Sequence, residues 1–172
     1  FTAWSADGKK IAFVSYGPDG GSFKIYTYNL ENNQVANISP ADEVNPNGDI
    51  FKISWCGVNN LLAYDRWPVG IQTYTPGGSD YQVLNIPSEG QMDNPSMPGC
   101  NPAGTKVAYI KQIYRPLSEG GSILGIFDPV SELNLLETTP GNFKWPVWSP
   151  DGQKLAVIEG DFNSEGTLGN IW

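Results

Sequence analysis

Short apolar runs alternate with clusters of Gly, Pro, Asn and Asp along the whole chain, and nowhere does the apolar pattern settle into a sustained helical period. Runs of this kind, bounded by turn-forming residues, predict strands. They fall at 1–5, 10–15, 23–28 and 34–38, then at 50–55, 61–65, 71–75 and 81–86. A third set lies at 94–100, 106–111, 122–127 and 133–137, and a fourth at 142–149 and 154–159, with a further strand beginning at 170–172. The order repeats with four strands to a unit, so the expected fold is all-β with essentially no helix. The units run approximately over 1–40, 41–88, 89–140 and 141–172.

A repeated stretch organises these units. Trp4-Ser5-Ala6-Asp7-Gly8-Lys9-Lys10-Ile11-Ala12-Phe13 returns as Trp148-Ser149-Pro150-Asp151-Gly152-Gln153-Lys154-Leu155-Ala156-Val157. Cys100-Asn101-Pro102-Ala103-Gly104-Thr105-Lys106-Val107-Ala108-Tyr109 is a third copy, and Trp55 to Tyr64 is a fourth that lacks the Asp-Gly pair. Gly8 and Gly104 lie 96 residues apart, and Gly104 and Gly152 lie 48 apart. Asp-Gly supplies the positive φ of a tight turn, and Pro150 presets the residue before it. The run after each turn, a large apolar residue, Ala, then an aromatic or Val, reads as a strand buried on both faces. Trp4, Trp55 and Trp148 stand at one equivalent position before the turn and are expected to be buried, each contributing about 1.5–3 kcal/mol.

A repeat of this length with four strands is the signature of a β-propeller blade. The copies at Trp4 and Trp148, with Lys24-Ile25-Tyr26 downstream and Asn170-Ile171-Trp172 as its counterpart, closely resemble the WSPDG blade of the TolB-like family, a WD40-like repeat. The resemblance implies a propeller of four-stranded antiparallel blades with about three and a half blades in this chain. A family ring has roughly six or seven blades of this length, so the chain is expected to be a fragment of a longer ring. Propellers of this kind serve as periplasmic TolB, as surface proteins, and as lid domains of serine peptidases resembling prolyl oligopeptidase. The resemblance therefore implies a periplasmic or extracellular location and leaves the activity open.

Composition narrows the classes. With 40% apolar residues, 20 Gly and 14 Pro, the 172-residue chain fits one turn-rich globular domain, and no apolar run approaches the length of a membrane span. A net charge of -8 would repel a phosphate backbone, so no nucleic-acid partner is expected. The chain contains no His, which excludes a Ser-His-Asp triad, a Cys-His dyad and His-ligated zinc or haem within it. Gly-x-Ser-x-Gly and phosphate-cradling motifs are also missing, Gly120-Gly121 running into Ser122-Ile123. Asp7, Asp151 and Asp161 belong to no Asp-x-Asp-x-Asp-Gly loop, and the first two sit in turns, so neither a metal nor any other cofactor is expected. Asp42-Glu43 and Asp161 with Glu165 read as solvated loop charges. Cys56 and Cys100, the only cysteines, fall in neighbouring registers of adjacent units and are expected to be buried free thiols.

Most tyrosines, Tyr26, Tyr28, Tyr64, Tyr74, Tyr81 and Tyr109 among them, lie inside predicted strands and read as packing. Arg66, Trp67, Tyr114 and Arg115 differ, because they lie in the connections 65–70 and 111–121 between second and third strands. Loops on a rigid scaffold concentrate binding residues, and Trp, Tyr and Arg are the types enriched at interface hot spots. In propellers these connections share a face with the loops between blades, here 40–49, 87–96 and 138–141, while the Asp-Gly turns face the other way. The expected function is a non-catalytic protein-binding or assembly scaffold, with the partner on that face presenting carboxylates to Arg66 and Arg115. A structural subunit of an envelope or surface assembly is one form of it. The alternative is the substrate-gating propeller of a larger serine peptidase whose catalytic domain lies outside this segment.

Overall fold

The computed structural model describes residues 1–18, 20, 22–40, 48–57, 60–77, 81–87, 94–113, 121–160 and 170–171. Its strands form four antiparallel sheets in chain order. The first holds β1 (Thr2–Trp4), β2 (Lys10–Tyr16), β3 (Phe23–Asn29) and β4 (Gln34–Asn37). The second holds β5 (Ile53–Cys56), β6 (Leu61–Arg66), β7 (Gly70–Tyr74) and β8 (Tyr81–Val83). The third is β9 (Pro95–Cys100), β10 (Val107–Ile113), β11 (Gly121–Asp128) and β12 (Leu133–Glu137), and the fourth is β13 (Phe143–Trp148), β14 (Leu155–Glu159) and β15 (Asn170–Ile171). Each strand pairs with its neighbour in sequence, and no α-helix occurs among the described residues.

The repeated turn joins the first two strands of a sheet through one hydrogen-bond pattern. The Ser5 hydroxyl donates to Asp7 Oδ1 at 2.6 Å and accepts from Lys10 N at 2.9 Å, while Lys9 N donates to Asp7 Oδ1. Ser149, Asp151 and Lys154 repeat it at 2.5 and 2.9 Å. Asn101 replaces the Ser and Asp together, its Oδ1 accepting from Thr105 N at 2.8 Å and Lys106 N at 2.9 Å. Gly8, Gly104 and Gly152 all take φ near 70° in these turns, which explains the glycine at that place.

The core lies between successive sheets. Ala12 and Ile25 of the first pack with Ile53, Leu62 and Tyr64 of the second; Ile71, Leu84 and Ile86 of the second meet Val107, Tyr109 and Phe127 of the third; Ile110 and Leu124 meet Val157 of the fourth. The first strands β1, β5, β9 and β13 contact one another in that order. The two middle sheets are therefore covered on both faces, and β6 and β10 bury nearly every residue. The end sheets are covered on one face only. Trp4 is 59% exposed and Trp148 is only partly buried, which corrects the expectation that all three Trp are buried: Trp55 packs into the core between the first two sheets, Trp148 lies against the third sheet, and no described sheet covers Trp4. The Trp148 indole donates to Gly99 O of the third sheet at 3.0 Å. That approach needs Gly99, where a Cβ would lie 2.5 Å from Pro146 O.

The cysteines also differ from expectation. Cys56 and Cys100 form a disulfide with Cα atoms 4.9 Å apart, at the ends of β5 and β9. The close approach of these first strands, with Cys100 N donating to Ser54 Oγ at 3.0 Å, brings the neighbouring registers within bridging range.

Candidate functional site

β6 ends at Arg66 and reverses through a cis Trp67-Pro68 peptide into β7. Val69 N donates to Arg66 O at 2.7 Å to close the turn, and Trp67 N donates to Asp49 O at 2.9 Å. On the other side the Asn94 amide donates to Pro68 O. The turn thus meets the segments that enter and leave the second sheet, all on the face opposite the Asp-Gly turns.

Between this turn and β9 lies an open pocket of about 420 Å³. Trp67, 43% exposed, and Phe51, 45% exposed, form apolar wall with Met97, and Asp49, Ser96 and Gln112 supply polar groups. Met97 has φ 53°, an uncommon value for a non-glycine residue and more so before a proline. It sits where the pairing of β9 with β10 shifts register, so a bulge turns this part of β9 towards the pocket. Trp145, with φ 50° before Pro146, repeats the device in β13.

Asp65 and Arg66 form the inner wall, and both are buried. The Asp65 carboxylate accepts from Phe51 N at 2.8 Å, Lys52 N at 2.7 Å and Met97 N at 2.8 Å. Burial raises its pKa above the ordinary carboxyl value, and the three N–H donors pull the other way without cancelling it. Burial also pushes the Lys52 ammonium down to about 8, against the attraction of Asp65, and its Nζ donates to Pro146 O at 3.1 Å. Arg66 Nη1 donates to Gly48 O at 2.6 Å, and its guanidinium lies 5.9 Å from the centre of the Tyr64 ring.

Of the four residues expected to form a binding face, Trp67 lines the pocket and is open to solvent. Arg66 is fully buried, so the expected surface grip on a partner's carboxylate is not available from it: its guanidinium is spent inside the fold. Tyr114 and Arg115 lie outside the described residues, as do Asp42, Glu43, Asp161 and Glu165. Sequence reasoning missed Phe51 and Met97, because both sit in or beside apolar runs that read as strand. The Met-Pro step at Met97 was the one available signal.

Two other places carry polar groups together. A second pocket, about 410 Å³, lies on the Asp-Gly side between Asp7 and Trp55. Its Ser5 and Asp7 groups are consumed by the turn itself. Inside the third sheet, the Tyr109 hydroxyl donates to Glu137 Oε1 at 2.7 Å, and Lys111 Nζ donates to the same oxygen at 2.8 Å. Burial, then Glu137, raises the Tyr109 pKa strongly, which keeps the phenol neutral and fits a tie between β10 and β12. Among the described residues no three Cys, Asp or Glu side chains are grouped as a metal-binding set.

No protein-family model matches the sequence, and no curated protein matches it by sequence. Solved structures match it by shape. A protein assigned as TolB from Agrobacterium tumefaciens aligns with TM-score 0.67 at 16% identity, over 92% of this chain and 57% of its own. The β-propeller domain of Cps50 (Swd1) from Myceliophteria thermophila aligns with TM-score 0.67 at 10% identity, over 97% of this chain and 53% of its own. The fold is that of a β-propeller. The acylaminoacyl peptidase of Pyrococcus horikoshii aligns with TM-score 0.63 at 11% identity, over 92% of this chain and 27% of its own. This propeller segment thus spans less than two thirds of each of these structures. This likeness in shape to the TolB structure agrees with the TolB-like resemblance carried by the repeated turn.

Proposed function

We propose that this propeller segment is a non-catalytic scaffold that holds a protein partner on the face of the Trp67 turn, in the periplasm or outside the cell. The observation that carries the reading is the open pocket between the second and third sheets, with Trp67 and Phe51 nearly half exposed at its wall. Large aromatics open to solvent on rigid, doubly covered sheets are the composition of an interface hot spot. The Cys56–Cys100 disulfide supports the location, since such bonds persist in oxidising compartments.

The test is capture of a partner with the full-length protein, followed by affinity measurements on Trp67→Ala and Tyr114→Ala, singly and together. Gln153→Ala, on the Asp-Gly side, serves as control. A hot spot loses about thirtyfold in affinity with its circular dichroism unchanged. Loop variants that bind like the parent while Gln153→Ala weakens binding would place the partner on the wrong face.

A second reading rests on the likeness to peptidase propellers, the acylaminoacyl peptidase and a prolyl endopeptidase that aligns with TM-score 0.61 over 25% of its own chain. In that reading the segment gates substrate for a hydrolase domain elsewhere in the gene product. Labelling of the full-length protein by a fluorophosphonate serine probe would favour it, and absence of labelling would favour the scaffold.

A further inference from the structure

We infer that the pocket beside Trp67 takes a cationic side chain, lysine or arginine, from a polypeptide partner. This rests on the scaffold reading and gives the partner's chemistry. Aromatic faces attract cations through their quadrupole, and Trp is the strongest of them. Here Trp67 and Phe51 are open to solvent on one pocket wall, whereas Tyr64, Tyr74, Tyr109 and Phe127 of the same two sheets are buried.

The charges point the same way. Asp49 lines the pocket and is exposed, so its carboxylate is available. Asp65 contributes a second negative charge, with both oxygens already accepting backbone N–H bonds. The Arg66 guanidinium also lines the pocket, but it is fully buried on the inner wall and donates to Gly48 O, while Asp49 stands exposed where a ligand enters. An acidic side chain would approach Asp49 with like charge, and a purely apolar one would desolvate that carboxylate without pairing it. The aliphatic stem of lysine or arginine fits between Met97 and the aromatics, and the side-chain oxygens of Ser96 and Gln112 can accept from its N–H groups. The net charge of -8 draws such a partner from a distance. At about 420 Å³ the pocket is in the size range of a small-ligand site and holds one long side chain with its backbone.

The probes are blocked peptides of the form Gly-Gly-X-Gly-Gly with X as Arg, Lys, norleucine or Glu, titrated into the protein while the Trp67 indole signal is followed by NMR. The signal is assigned with Trp67→Phe. Saturable shifts are expected for Arg and Lys, with norleucine about tenfold weaker and Glu silent. Asp49→Asn should weaken Lys binding about fivefold and flatten its salt dependence, and Trp67→Phe should weaken it less than Trp67→Ala. Equal binding of norleucine and Lys, preference for Glu, or no saturable shift with any peptide would overturn the inference. Loss of the captured partner in Trp67→Ala alongside peptides that bind without charge preference would leave the scaffold reading standing and this one refuted. Charge-selective peptide binding with a partner insensitive to Trp67 would do the reverse.

Discussion

Asp65 on β6 accepts a hydrogen bond from the Met97 amide of β9 at 2.8 Å, and by this bond a buried carboxylate joins two blades at the pocket. The same carboxylate takes the Phe51 and Lys52 amides, so one side chain satisfies three backbone donors. Asp65→Ala leaves those donors unpaired and is expected to cost on the order of 3 kcal/mol or more. Asp65→Asn keeps one acceptor oxygen and should cost less, about 1–2 kcal/mol. Urea denaturation of both variants checks this, and an alanine variant as stable as the parent would show that Asp65 does not clamp the blades.

Between the same two blades, the Cys56–Cys100 bridge at the ends of β5 and β9 makes a second clamp. Mass spectrometry after alkylation without reductant is expected to find the two cysteines linked and unalkylated. Reduction, or Cys56→Ser with Cys100→Ser, should lower stability by about 2–5 kcal/mol. Two alkylated thiols in protein purified without reductant would return the cysteines to the free state expected from sequence.

The parts legible in sequence are those governed by local chemistry. The Trp148 to Val157 stretch announces a strand, a turn and a strand because the hydrogen bonds of Ser149, Asp151 and Gly152 in the turn run to their own neighbours. The misses are matters of neighbourhood. Trp4 and Trp148 open closely similar turns, and the neighbouring third sheet partly covers Trp148 while Trp4 stays exposed. The cysteine pairing depends on how closely β5 and β9 approach, a distance set by packing rather than by spacing along the chain. Arg66 follows Asp65 at a predicted strand end and reads as the start of a loop. In the fold it is the last residue of β6, paired with Gly70, and its side chain turns inward. Of the residues lining the candidate pocket, Trp67 stands out by type and place, whereas Phe51 and Met97 lie in runs that read as strand and meet it only in the fold.

Lys52 gives a stability that depends on pH. Its folded pKa is pushed down from 10.5 to about 8 by burial, so below pH 8 both folded and unfolded chains carry the proton and the folded state bears the full penalty of a buried charge. Between pH 8 and 10.5 the unfolded chain binds more protons than the folded one, and stability from this group rises with pH, by on the order of 2–3 kcal/mol in all. Lys52→Met removes that rise, at the loss of the bond to Pro146 O, about 1 kcal/mol. Urea midpoints of parent and variant from pH 7 to 10 provide the comparison, since the rest of the chain is common to both. A parent-minus-variant difference that stays flat over this range would contradict the burial of Lys52.

The 172-residue chain carries two apolar surfaces through which copies of it can associate. β12 is the outer strand of the third blade, and its five residues are all exposed, Leu133, Leu135 and Leu136 among them. An exposed strand edge with apolar side chains and no proline offers backbone donors and acceptors to another chain, the arrangement that natural sheets blunt with charge. Trp4 and Phe1 expose a second apolar surface on the uncovered face of the first blade. Light scattering on this chain is therefore expected to show self-association that grows with concentration. Leu135→Lys should reduce it by placing a charge on the strand edge, and Trp4→Ser should reduce it separately by removing the apolar blade face. The two effects should add, because the surfaces lie on different blades. If the chain is a stable monomer at every concentration, or associates unchanged in both variants, neither surface drives contact between copies.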